Sequence, residues 1–170
     1  MGKKVVETKV TQKYTSANTS INRKRPAIYG MVSDKISDTD QVIDYGCGKY
    51  FDDYDLPSNY FGYDPFNRND ETVLNNKYDI ALCSNVINVI MEKEVRTELL
   101  HILKNIANKV FITIYEGSGD GNGRVTMPDC YQVNMKKKDY FAEIAEVFGI
   151  DNVKYTHGYF ECWSGEGVVV

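Results

Sequence analysis

Val42-Ile43-Asp44-Tyr45-Gly46-Cys47-Gly48 is a short apolar run that meets an acid and then breaks into two glycines one residue apart. A run this short, closed by glycine, reads as a buried strand over Gln41 to Asp44 entering a tight turn. Further along, Tyr60-Phe61-Gly62-Tyr63-Asp64 reads as a second strand ending in an acid, and Pro65 stops it because proline cannot continue a central strand. Tyr78 to Cys83 gives a third strand and Val110 to Tyr115 a fourth. Between these two, Val95, Leu99, Ile102, Leu103 and Ile106 share one helical face, with Glu94, Glu98, His101 and Asn105 on the others. Strand, helix, strand predicts a parallel crossover.

The flanks are read in the same way. Pro26 suits a first helical turn, and Ile28, Met31 and Val32 follow at helical spacing, so a short helix there should pack on the sheet. Gly117 to Gly123 holds four glycines in seven residues and opens a long irregular connection. Order returns over Asp139 to Phe148, where Phe141, Ile144, Ala145 and Phe148 form a stripe and Gly149 suits the stop. Two short strands, Val153-Tyr155 and Tyr159-Trp163, should close the sheet as an antiparallel edge, with His157 in the turn between them. There is no internal repeat.

Composition narrows the class. The 170 residues suit one domain with one core, and 42% hydrophobic against 26% charged is ordinary for a globular chain. The longest apolar runs fall far short of the roughly 20 residues of a membrane span, and no secretory signal is read at the start, so a cytoplasmic protein is expected. Cys47, Cys83, Cys130 and Cys162 are widely spaced and there are only two histidines, which argues against a metal site and for reduced thiols. A net charge of −4 does not mark a dedicated nucleic-acid surface. Yet Lys3, Lys4, Lys9, Lys13, Arg23, Lys24 and Arg25 face one acid, Glu7, so residues 1–24 read as a basic arm ahead of a domain over 25–170. That arm is either a solvated tail or an edge that meets an anionic substrate. Its polar stretch around Tyr14, Thr15, Ser16 and Asn18 is either a lid or disordered.

The chemistry is concentrated in the first two strand ends. Glycines at 46 and 48 let backbone approach a ligand closely, and Asp64, 20 residues after Asp44, can accept hydrogen bonds from both hydroxyls of a ribose. A nucleoside is the expected ligand. Dinucleotide sites need a third glycine and a firm helix facing the pyrophosphate, whereas Gly48 is followed by Lys49-Tyr50-Phe51-Asp52-Asp53-Tyr54, which lacks both. A turn rich in Asp and Tyr suits a positively charged nucleoside, since carboxylates and aromatic faces attract cations.

The run Val42 to Gly48 resembles the first motif of class I S-adenosylmethionine-dependent methyltransferases. Gly62-Tyr63-Asp64-Pro65 resembles the acidic ribose motif of that family, and Tyr78 to Ile90 its fourth-strand motif. The likeness covers roughly Val42 to Tyr115, and the pattern resembles that of small, phage-type members. The resemblance implies an α/β, Rossmann-like, mostly parallel central sheet with flanking helices and an antiparallel C-terminal edge, in a single domain. It implies S-adenosyl-L-methionine as cofactor, with Asp44, Gly46, Cys47 and Gly48 around the methionine portion, Asp64 and Pro65 at the ribose, and Ser84, Asn85 and Val86 beneath the ligand. Only 15 residues separate Asp64 from Asp79, so the helix and strand that relatives carry there must be shortened or absent.

Methyl transfer is an in-line displacement that asks a protein to align an acceptor and exclude water; a catalytic base is optional. Asn88, Tyr115 and Glu116 are candidates for the acceptor side because they follow strand ends. Tyr115 reads equally as sheet packing, Glu116 as a loop acid and Asn88 as a cap for the next helix. The expected function is methyl transfer to a small-molecule or nucleotide-containing acceptor. Two alternatives stay open: an RNA or DNA methyltransferase that uses the basic arm, or a regulator or scavenger that binds the cofactor without methylating. The tetrad with which amino-methylating nucleic-acid enzymes grip a flipped base is replaced here by Ser84-Asn85-Val86-Ile87. No membrane partner is expected, and oligomeric state is not readable.

Overall fold

The computed structural model describes residues 10–19 and 23–165. Expectations that fall on residues 1–9, 20–22 and 166–170, including the arm's Lys3, Lys4, Glu7 and Lys9, lie outside the described residues.

The first turn of helix, α1 (Ile28–Met31), leads to β1 (Val42–Tyr45) and β2 (Tyr60–Tyr63), then to β3 (Tyr78–Ser84), α2 (Lys93–Ile106) and β4 (Ala107–Thr113). A hairpin of β5 (Arg124–Met127) and β6 (Cys130–Gln132) follows, then α3 (Phe141–Phe148), β7 (Val153–Thr156) and β8 (Tyr159–Trp163). Six strands form one sheet in the order β2-β1-β3-β4-β8-β7. The pairs β1–β2, β1–β3 and β3–β4 are parallel, while β4–β8 and β7–β8 are antiparallel. This is the expected Rossmann-like, mostly parallel sheet with an antiparallel C-terminal edge.

Both faces of the sheet are covered, which is why its central strands read as unbroken apolar runs. Alternation sends Ile43, Tyr45, Ala81, Cys83, Val110 and Ile112 to the layer that holds α2 and α3. Val42, Ile80, Leu82 and Phe111 go to the opposite layer, with Ile28 and Tyr29 of α1 and with Phe51 and Tyr54. Each fully buried side chain of this size contributes about 1.5–3 kcal/mol. The two long helices are locked together by a buried ion pair. Arg96 of α2 donates from Nε and Nη2 to the two carboxylate oxygens of Glu143 on α3, at 2.7 and 3.1 Å, and from Nη1 to the carbonyls of Ile90 and Met91. That pairing satisfies the guanidinium and fixes the turn ahead of α2.

Several expectations shift. In α1 the sheet buries Ile28, Tyr29 and Val32 and leaves Met31 exposed, because a single turn presents one narrow face. The strand β4 starts at Ala107, directly after α2, and ends at Thr113, so Tyr115 lies beyond it. The connection after Gly117 is not wholly irregular, since it holds the β5–β6 hairpin. Between β2 and β3 there is no strand and only a short turn of 3-10 helix, Glu71–Asn75, as the spacing from Asp64 to Asp79 requires. All four cysteines are buried free thiols.

Candidate active site

The strand order reverses between the parallel neighbours β1 and β3, with β2 to one side and β4 to the other, and in open α/β sheets the crevice outside the strand ends at such a point is where ligands bind. A cleft of about 1080 Å³ lies there. Pockets for drug-sized ligands run to about 300–1,000 Å³, so the volume accommodates a nucleoside cofactor and a second molecule.

Its floor is the glycine turn. Gly46 and Gly48 have φ of +78° and +71°, conformations that favour glycine. A Cβ on Gly46 would come within 2.3 Å of the Val86 side chain, so the glycine also allows the turn after β3 to close against the turn after β1. The amides of Gly46 and Cys47 both donate to the carbonyl of Tyr63, at 2.7 and 3.1 Å, and that of Gly48 donates to Asp64 Oδ2 at 3.0 Å. Asp64 Oδ1 accepts from the amides of Phe66 and Asn67 at 2.9 and 3.0 Å. The carboxylate is thus held by both turns. With roughly four acceptor positions on a carboxylate, Oδ2 keeps capacity for a ligand hydroxyl. Arg68 reinforces this junction by a two-pronged bond to Asp52, at 2.9 and 3.0 Å, beside the Phe51 ring.

Gly46, Cys47, Gly48, Asp64, Pro65, Ser84, Asn85 and Val86 all line the cleft. Asn85 adopts φ +55° and donates its amide to the carbonyl of Thr113, while Thr113 Oγ1 donates to Ser84 Oγ at 3.0 Å. Asp44 does not line the cleft. The pleat turns it to the α1 layer, where Oδ2 accepts from Tyr29 Oη at 2.6 Å and Oδ1 has no partner among the described residues. Burial pushes its carboxyl up to about 7; the Tyr29 hydrogen bond opposes the shift and the Asp64 charge adds to it. Burial also pushes the Cys47 thiol up, so it sits in the wall as a neutral group.

The acceptor-side candidates separate. Tyr115 is 61% exposed and stands at the rim. Asn88 is 2% exposed and lines the cleft, and it does not cap α2; its Nδ2 donates to Gln132 Oε1 at 3.2 Å. Glu116 does not line the cleft. Its Oε1 accepts from the amide of Lys137 at 2.8 Å, which ties the loop to the turn before α3. His101 is exposed on α2 and His157 is exposed in the β7–β8 turn, away from the cleft walls.

Other walls were not assigned from sequence. Val95, Leu99 and Ile102 of α2, together with Phe66, give an apolar side. The periodicity of α2 marked those residues as apolar but not as facing a cavity. Residues of the N-terminal arm cross the opening. Ser16 donates its amide to the carbonyl of Asp129 at 2.8 Å, and Thr15 donates its amide and hydroxyl to the Asp129 carboxylate. Ser16 Oγ donates to the carbonyl of Val89 and accepts from the amide of Tyr131, and Tyr14 stacks on Tyr131 at 5.4 Å. On the far side, Asn67 Nδ2 donates to the carbonyl of Ala17 at 3.3 Å. The segment thereby spans from the β5–β6 hairpin to the turn after Asp64. Arg23, Lys24 and Arg25 also line the cleft, and among the described residues none of the three is in an ion pair. Arg23 lies 5.5 Å from the Tyr50 ring centroid.

No protein family matches the chain, and no curated protein does. Among solved structures, it is similar to magnesium protoporphyrin IX methyltransferase (ChlM) from Synechocystis PCC 6803 with bound SAM, at 16% identity and a TM-score of 0.46, over 81% of this chain and 76% of that one. The same enzyme with bound SAH gives 17% and 0.44, over 80% and 77%. The N-terminal domain of EvdMO1 in the presence of SAH and D-fucose gives 11% and 0.44, over 80% and 77%. Among the described residues no helix is long and apolar enough to cross a membrane.

Proposed function

We propose that the chain is an S-adenosylmethionine-dependent methyltransferase acting on a small-molecule or nucleotide-containing acceptor. The observation that carries this reading is the Gly48–Asp64 junction on the cleft wall, where a positive-φ glycine turn and a carboxylate at the next strand end meet through a 3.0 Å hydrogen bond. Such a junction suits a nucleoside without a pyrophosphate, because the turn runs into Phe51–Tyr54, a short 3-10 turn, and not a long helix.

The residues present fit that cofactor. Asp64 would take the ribose hydroxyls, Gly46 to Gly48 would pass beneath the methionine portion, and Val86 with the α2 side chains would flank the base. Asp44, under the turn, would act on this ligand through the glycine backbone. When bound, S-adenosylmethionine supplies an electrophilic methyl group on a sulfonium. The protein's part is then to fix an acceptor in line and exclude water. Residues 12–19 serve the second task as a lid over the opening, and the domain proper begins near residue 25. Asn88 and Tyr115 would meet the acceptor, with Glu116 acting only by holding the loop.

The test is calorimetric binding of S-adenosylmethionine to wild type, Asp64→Asn and Asp64→Ala, with a nicotinamide dinucleotide as control. Hydrogen bonds to a charged group are worth about 1.5–3 kcal/mol, so loss of the ribose contact should weaken binding by about 10- to 100-fold. Failure of the wild type to bind, or equal binding of the dinucleotide, overturns the reading.

A second reading is favoured by Arg23, Lys24 and Arg25 on the cleft wall. A nucleic-acid acceptor would place phosphate there, and affinity for a single strand would then fall steeply with salt. Binding insensitive to salt between 50 and 200 mM would remove it.

A further inference from the structure

The buried amide of Asn88 has one half satisfied and one half open, and its orientation is fixed by its neighbours. Gln132 Nε2 donates to the carbonyl of Tyr115 at 3.1 Å, which only an N–H can do. Gln132 Oε1 therefore faces Asn88, and Asn88 must answer with Nδ2, at 3.2 Å. That leaves Asn88 Oδ1 as a buried acceptor without a partner among the described residues. The backbone carbonyl of Asn88 is meanwhile occupied by the amide of Val133 at 2.9 Å, so the residue is clamped to the β5–β6 hairpin at both ends. Buried acceptors in native structures have donors, and an exception in a cleft points to a ligand.

We infer that Asn88 Oδ1 receives the N–H of the methyl acceptor, and that this acceptor is a neutral aryl or heteroaryl amine. The inference rests on the methyltransferase reading above. A hydroxyl acceptor must give up its proton to become a good nucleophile. The groups hydrogen-bonded around Asn88 are Gln132 and the backbone of Val133, neither of which takes a proton. Of the carboxylates that line the cleft, Asp64 is held by the amides of Gly48, Phe66 and Asn67 and Glu98 stands on the α2 wall, so the comparison with phenol tests directly for a base. An amine nitrogen needs no base, because its lone pair is free while an N–H is held aside. An alkylamine, with a pKa near that of lysine at about 10.4, would be protonated at neutral pH and have no lone pair to offer. In the step itself, the nitrogen lone pair forms the new N–C bond and the C–S electron pair stays on sulfur. The proton now in excess on nitrogen then leaves to water. Asn88 holds and orients the amine, and Gln132 is a positioning residue that sets the polarity of the Asn88 amide.

The experiment uses the full chain saturated with S-adenosylhomocysteine, whose binding is first measured by calorimetry. Saturation-transfer NMR then compares aniline with toluene, which has the same shape and no donor, and with phenol. Wild type should transfer several-fold more saturation to aniline than to toluene. Asn88→Leu, of similar volume, should lose that preference while S-adenosylhomocysteine affinity stays within about twofold. With labelled S-adenosylmethionine, the methyl group should reach aniline nitrogen and not phenol oxygen. Equal or absent transfer from aniline and toluene, a preference that survives Asn88→Leu, or methylation of phenol alone overturns the inference. Loss of S-adenosylhomocysteine binding by the wild type would instead overturn the reading on which it rests.

Discussion

Replacing Asp44 by Asn measures what the chain gives up to keep a carboxyl group under its glycine turn. Among the described residues Asp44, 1% exposed, takes a hydrogen bond from Tyr29 at 2.6 Å and leaves Oδ1 unpaired. Burial raises its pKa from 3.8 to about 7. Between those values the unfolded chain is ionised at this position while the folded chain keeps the proton, so stability falls as pH rises through the window and stays low above it. About three pH units at about 1.4 kcal/mol each amount to about 4 kcal/mol. Asparagine keeps an oxygen for Tyr29 and has no charge to bury, but it places an unsatisfied N–H near the old Oδ1, at a cost of about 1–3 kcal/mol. Asp44→Asn is therefore expected to be about 1–3 kcal/mol more stable than wild type at pH 8 and less stable by a similar amount at pH 4. Urea unfolding of both proteins at pH 4, 6 and 8 gives the difference directly, free of other carboxylates, which titrate alike in the two. A difference that stays constant across that range would refute the burial argument. A variant that is stabler at pH 8 yet binds S-adenosylmethionine more weakly would show that the carboxyl group is retained for the ligand, a trade common at binding sites.

Gly46→Ala combines a left-handed φ of +78° with a Cβ 2.3 Å from Val86; it should cost about 1–3 kcal/mol in backbone strain alone. In denaturant melts, Val86→Ala in the same chain should recover only the part owed to the clash. Arg96→Ala strands the Glu143 carboxylate between α2 and α3 and should cost about 3–5 kcal/mol. The double change Arg96→Met with Glu143→Leu should melt within a few degrees of wild type. Asp129→Ala removes the carboxylate that takes both Thr15 bonds, so S-adenosylhomocysteine should leave several-fold faster in stopped-flow displacement, with the glycine turn untouched; an unchanged off-rate would show that residues 12–19 do not gate the cleft.

The sheet was legible because its strands carry their own punctuation. Val42 to Gly48 and Tyr60 to Pro65 end in glycine, acid or proline, and α2 has a clear apolar period. The β5–β6 hairpin was not, since all four residues of β5 are exposed and leave no buried-face alternation to read. The start of β4 was missed for another reason: Ala107-Asn108-Lys109 follows α2 with no breaker between them. At the site, short-range features such as Gly46, Gly48 and Asp64 were readable from spacing. Gln132 was not, because its meeting with Asn88 joins positions 44 residues apart through a fold that no local pattern encodes. The strap over the cleft is more distant still, pairing Thr15 with Asp129. Asp44 shows the opposite case, in which motif position was clear but the pleat sends the side chain to the other layer.

With no strand in the chain between β2 and β3, β2 forms one border of the sheet. Its two outer strands, β2 and β7, are each four residues long, and an exposed strand edge is a template for unwanted pairing with another chain. An edge of four residues offers only a couple of outward backbone groups, and the chain leaves β2 at once through the Asp64–Arg68 bridge, which folds back on itself. On the other border, β7 carries Lys154, a charge that an incoming strand would have to desolvate. Among the described residues, both borders of the sheet therefore offer an incoming strand no more than a few backbone bonds, and on the β2 side this follows from the short chain between β2 and β3.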